Sequence, residues 1–75
     1  MSNVGANLKR IREQRGVTQS ELARMVQVSP PMICQIERGS KAPSLPLGAQ
    51  IAEALGCNIL ELLVGADGKQ PLHGG

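Results

Sequence analysis

The chain predicts an all-α fold of five short helices, and three observations carry that expectation. Apolar residues recur at spacings of three and four, the period of a helix with one buried face, and no segment alternates as a half-buried strand does. Helix starts are marked by Ser, Thr or Asn, and helix ends by Gly16, Gly39, Gly56 and Gly65. The sequence also holds no Phe, Trp or Tyr, so its core is assembled from Leu, Ile, Val, Ala and Met, which suit helix-on-helix packing better than a sheet.

The first helix, about residues 5 to 15, rests on Leu8 and Ile11 and stops at Gly16. A second, 18 to 26, opens at Thr18, which has capping-box spacing with Glu21, and buries Leu22, Ala23 and Val26. The third, 30 to 38, follows Val28 and the candidate cap Ser29, turns Ile33 and Ile36 inward, and ends before Gly39. In the fourth, 45 to 55, Ser44 is the candidate cap, Pro46 is tolerated because it falls in the first turn, and Ile51, Ala52 and Leu55 face the core. Gly48 inside that helix conflicts with it by about 1 kcal/mol relative to Ala. The fifth, 59 to 64, starts at Asn58, again with capping-box spacing to Glu61, and buries Ile59, Leu62 and Leu63. One domain is expected over 1–65, with 66–75, which lacks periodicity and carries the sole histidine, His73, as a flexible C-terminal tail.

A chain of 75 residues makes one small domain, and no apolar run approaches the roughly 18 residues of a membrane span. Cys34 and Cys57 are too few for a disulfide scaffold and have no metal-ligand spacing, so they read as reduced thiols of a cytoplasmic protein, and neither metal nor cofactor is expected. With one tail histidine, no paired carboxylates on a helix face and no phosphate-cradling loop, the chain is not expected to be an enzyme. Charge is divided unevenly: residues 1–41 hold seven basic against three acidic side chains, whereas 42–75 hold Lys69 against Glu53, Glu61 and Asp67. A polyanionic partner therefore belongs to the first half.

That half contains a polar surface that packing does not require. With Ile33 and Ile36 turned inward at 100° per residue, the third helix points Pro31, Cys34, Gln35 and Arg38 outward, with Ser29 and Pro30 at its N-terminal end. In the major groove of double-stranded DNA, amide side chains bond adenine edges and small apolar groups touch thymine methyls.

The blocks Leu8-Lys9-Arg10-Ile11-Arg12, Gly16 to Ala23, Ile33 to Gly39 and Ile51 to Gly56 closely resemble the Cro and phage-repressor type of helix-turn-helix domain, the XRE family, over about residues 5 to 65. The resemblance implies a compact five-helix lambda-repressor-like DNA-binding domain in which the second and third helices form the helix-turn-helix. It implies a sequence-specific transcriptional regulator, most simply a repressor on a two-fold operator. By the same resemblance Gln19 bonds a phosphate beside a helix N-terminus, and Arg12 and Glu37 form a salt bridge that fixes the angle of the third helix. Ser29, Pro30, Pro31, Met32, Cys34 and Gln35 match the base-reading surface, with Gln35 the best candidate for a hydrogen bond to a base. Three positions depart from the family pattern: Gln27 stands where a turn glycine is usual, Pro30 and Pro31 replace residues that are often polar, and Gly48 replaces a large apolar residue.

Some assignments have two readings. Arg10, Arg15, Arg24, Arg38 and Lys41 are either solvated helix faces or phosphate contacts; Thr18, Arg10, Arg38 and Lys41 join Gln19 as the phosphate-binding set. Met32 is either a gap-filler or a base contact, Cys34 either a small residue fitting the groove or a redox switch, and Cys57 a small hydrophobe. Leu45, Leu47, Leu60 and Val64 exceed what one small core absorbs, which points to a homodimer through the loop from Ser40 to Ser44 with Leu45, Ile59 and Leu60. The alternative function is an antitoxin or protein-interaction module of the same fold, whose partner would be a toxin.

Overall fold

The helix stops written into the sequence act as one repeated device. In the computed structural model, which describes residues 4–64, the helices are α1 (Val4–Gln14), α2 (Gln19–Met25), α3 (Pro30–Glu37), α4 (Leu45–Leu55) and α5 (Ile59–Val64). After each of α1 to α4 the chain makes a paired closure in which one residue has left-handed backbone: Gly16, Gln27, Gly39 and Gly56. Its own N–H and the next residue's then bond back into the helix. Thus Gly16 and Val17 donate to the carbonyls of Glu13 and Arg12, at 3.0 and 3.1 Å. Gln27 and Val28 donate in the same way to Arg24 and Ala23, at 3.3 and 2.9 Å, so the departure from glycine leaves the turn's path intact and puts a non-glycine residue at φ +62°. Gly65 lies outside the described residues, as do His73 and the rest of the proposed tail.

The starts differ from expectation at two places. Thr18 and Glu21 make the full reciprocal box, at 3.0 and 2.9 Å, and Ser44 Oγ accepts the Leu47 N–H at 3.2 Å. Ser29, however, makes no side-chain cap. Pro30 and Pro31 fill the first two helical positions and have no N–H, while the Met32 N–H is taken by the Ser29 carbonyl at 3.0 Å. The second correction concerns Asn58, whose side chain accepts from Leu60 at 2.9 Å rather than from Glu61, so it caps α5 without the box.

The core is Leu8, Ile11, Leu22, Ala23, Val26, Ile33, Ile36, Ile51, Ala52, Leu55 and Leu62, drawn from all five helices. Burying each of its larger aliphatic side chains contributes about 1.5–3 kcal/mol. Val28 is half-buried against this cluster, and Ile59 and Leu63 are only half-buried. Leu47, counted with the surplus apolar residues, instead packs on the core; Leu45, Leu60 and Val64 stay exposed.

Helix α1 packs on α3 and α5, α2 packs on α3 and α4, and α4 packs on α5. Two side chains close carbonyls near helix ends: Asn7 of α1 donates to Leu62 O at 2.9 Å, and Arg15, just past the end of α1, donates to Leu55 O at 2.9 Å. Arg15 is thus a structural cap and not simply a solvated face. Helix α3 is held between α1 and α2, with its outer edge free. Among the described residues, no helix is long and apolar enough to cross a membrane.

Candidate nucleic-acid interface

The site is the outer edge of α3, and its rigidity starts from one carboxylate. Glu37, at the last position of α3, has a side chain only 4% exposed. A carboxylate that deep needs its oxygens satisfied, and three donors supply this. Arg12 of α1 presents a two-pronged contact, Nε to Oε2 at 2.6 Å and Nη2 to Oε1 at 3.1 Å. Gln19, the first residue of α2, donates Nε2 to Oε1 at 2.9 Å. Arg12 also donates Nη1 to the Val17 carbonyl at 2.8 Å, tying the loop between α1 and α2 into the same cluster. Donation to the Glu37 carboxylate holds the Arg12 guanidinium above its ordinary pKa, outweighing the burial that pushes it down, so Arg12 stays cationic.

Outside this anchor lies the edge itself. Ser29, Pro30, Pro31 and Gln35 are exposed, Cys34 is half-buried, and Arg38 reaches back to Cys34 Sγ at 3.8 Å. Ser29 is extended at φ −80° and ψ 150°, the conformation its proline neighbour favours, and its hydroxyl is not used as a cap. The edge therefore offers one hydroxyl, two proline rings, one carboxamide and one guanidinium. Met32 sits behind it, half-buried against the core. Lys41 lies exposed just past the end of α3, its N–H on the Gln35 carbonyl at 3.3 Å.

The other basic and polar candidates divide. Thr18 and Gln19 stand at the start of α2, where the Thr18 oxygen already accepts from Glu21 and one Gln19 N–H is committed to Glu37. Arg10 is placed elsewhere: it bonds Asn7 Oδ1 at 3.3 Å on the side of α1 that meets α5, away from α3. Sequence reasoning passed over the Gln19–Glu37 bond and the role of Asn7. For the first a signal existed, since Gln19 and Arg12 are both long donors near one acidic position; for Asn7 no local pattern names a carbonyl 55 residues away.

A helix-turn-helix family model matches residues 8–62 of this chain. The chain belongs to the helix-turn-helix family of the Cro and phage-repressor type. Helices α2 and α3 are its helix-turn-helix pair. An uncharacterized helix-turn-helix-type transcriptional regulator, y4dJ of Sinorhizobium fredii, is 33% identical over 64 residues, spanning 85% of this chain and 83% of the relative. Among solved structures, the clp gene regulator ClgR of C. glutamicum superposes with a TM-score of 0.80 at 38% identity, covering 91% of this chain and 88% of that one. The P22 c2 repressor, solved in complex with a synthetic operator, superposes with a TM-score of 0.80 at 29% identity, covering 88% and 100%.

Proposed function

We propose that this helix-turn-helix chain is a DNA-binding transcriptional regulator that lays the outer edge of α3 in the major groove, and that it represses by occupying a two-fold operator as a dimer. The observation that carries this reading is the contrast across α3. Its inner face and its C-terminal end are locked by Ile33, Ile36 and the Arg12–Glu37–Gln19 cluster, while Ser29, Pro30, Pro31 and Gln35 stay exposed outside the core. A rigid helix with an unused polar and apolar edge is suited to reading base edges. The P22 c2 repressor, solved on a synthetic operator, lends the geometry further support.

Within this reading Gln35 hydrogen-bonds a base, the Ser29 hydroxyl is a second polar contact, and the rings of Pro30 and Pro31 meet thymine methyl groups; Cys34 lines the same edge and Met32 backs it. Gln19, through its second amide N–H, and Thr18, Arg38 and Lys41 contact phosphates; Arg10, on the far side of α1, is left out of this set. Residues 1–65 form the DNA-binding domain. The dimer uses Leu45 and Leu60, which are 70% and 58% exposed, flanked by Ile59.

Selection of binding sites from random duplexes tests the reading. A single enriched, two-fold sequence is expected, and recovery of no preferred sequence overturns base reading. On the enriched site Gln35→Ala is expected to cost about 1–3 kcal/mol, and uracil in place of the contacted thymines should weaken binding. Lys41→Ala should weaken specific and random DNA alike and lower the salt slope by about 1. Equal losses on both DNAs for Gln35→Ala would refute its assignment.

A further inference from the structure

One residue outside the site governs where α3 can lie. Gly5 is in the first turn of α1, and a methyl group built on it would stand 2.6 Å from the Glu37 carbonyl oxygen and nearer still to that of Ile36. Those are backbone atoms of the last two residues of α3, so no side chain can swing away to make room. The helices approach there at a distance that only a residue without a Cβ permits. Gly48 shows the contrast: the nearest atom to a methyl group there is Ile59 Cδ1, at 3.9 Å, an ordinary contact.

Gly5, Leu8 and Arg12 are spaced three and four residues apart and form one stripe along α1. Leu8 is fully buried, Arg12 grips the Glu37 side chain, and Gly5 receives the Glu37 main chain about 10 Å further along the helix. We infer that Gly5 is a positioning residue for DNA reading: with Arg12 it seats the C-terminal end of α3 on α1, and thereby sets the placement of Ser29, Pro30, Pro31 and Gln35. Ile33 and Ile36 hold the inner face of α3 in the core, Arg12 holds the Glu37 side chain, and the close seat at Gly5 fixes how near the last turn of α3 comes to α1. A methyl group there must push the C-terminal turn of α3 outward until the contact is an ordinary one, and a shift of about 1 Å suffices to spoil a set of directed contacts. This inference rests on the DNA-reading function proposed above.

The test compares Gly5→Ala with the unchanged full chain and with Ile51→Val, a core variant on α4, which packs on α2 and α5, at 10 °C. Affinity is measured for the duplex selected by the unchanged chain and for a scrambled duplex, and backbone amide NMR spectra are recorded without DNA. For Gly5→Ala a loss of about tenfold or more is expected on the selected duplex, with affinity for the scrambled one kept within about twofold. Amide shifts should change along Met32–Lys41 and hold steady in α4. Ile51→Val should lower the melting temperature and leave the ratio of the two affinities and the α3 shifts unchanged. A normal affinity ratio for Gly5→Ala, equal losses on both duplexes, or unmoved α3 amides would overturn the inference. If Gly5→Ala does not fold, the measurement is repeated in combination with Gly48→Ala; failure of that chain to fold at 10 °C would assign Gly5 to stability alone and also overturn it. Should the unchanged chain select no duplex, the DNA-reading function fails separately and the amide shifts decide the seat.

Discussion

Gln27 and Gly48 are a matched pair of local conflicts, one in a turn and one in a helix, and each leads to a stabilising substitution. Gln27 takes the left-handed position that glycine occupies after α1, α3 and α4, at φ +62°. Its side chain is exposed, so relief of backbone strain is the main effect of Gln27→Gly, and a gain of about 1 kcal/mol is expected in chemical denaturation. Gly48 is buried within α4 with ordinary helical backbone and has room for a methyl group against Ile59. Gly48→Ala should therefore gain up to about 1 kcal/mol, seen as a raised melting temperature. Both positions are legible from sequence as anomalies, but the sign of the response is not: it depends on the space around the missing Cβ. Gly5 carries the same letter as Gly48 and the opposite environment.

Among the helices, the decisive tie is between α1 and α3. Removing one member of a buried ion pair leaves the other charged and unpaired, so Glu37→Ala should destabilise by about 3–5 kcal/mol. Replacing both members by apolar residues, as in Arg12→Met with Glu37→Leu, is expected to recover most of that loss, and a double-mutant cycle by urea titration measures the coupling. Recovery of fold in the double variant without recovery of selective DNA binding would locate the pair's value in orientation. The helices themselves were readable because periodicity, caps and stops agreed: α4 and α5 fall on the expected boundaries and the others within about two residues. What stayed hidden was contact between distant residues. Ser29 looked like a cap because its type is right, and only the loss of two N–H groups to Pro30 and Pro31 frees its hydroxyl. Arg15 reads as a solvated face or phosphate contact, and no local pattern marks Asn7, because the carbonyls they close belong to helices far along the chain.

At the scale of the whole molecule, the large exposed apolar residues Leu45 and Leu60 lie in the first turns of α4 and α5, whereas the proposed DNA edge belongs to α3. Leu60→Glu should accordingly abolish the proposed dimer in sedimentation equilibrium and reduce affinity for a two-fold site, while binding to an isolated half-site persists at the monomer's level. Helix folding and half-site selectivity should survive that change; loss of both would tie Leu60 to the core instead. The expected outcome separates assembly from reading, since the core is complete in one chain. The paired prolines extend this separation to the energetics of contact. Ring closure fixes φ at Pro30 and Pro31 before any partner arrives, so the leading end of α3 has little backbone freedom left to lose on docking. An edge prepared in this way spends little entropy on a matching surface and has little capacity to mould itself around a mismatched one.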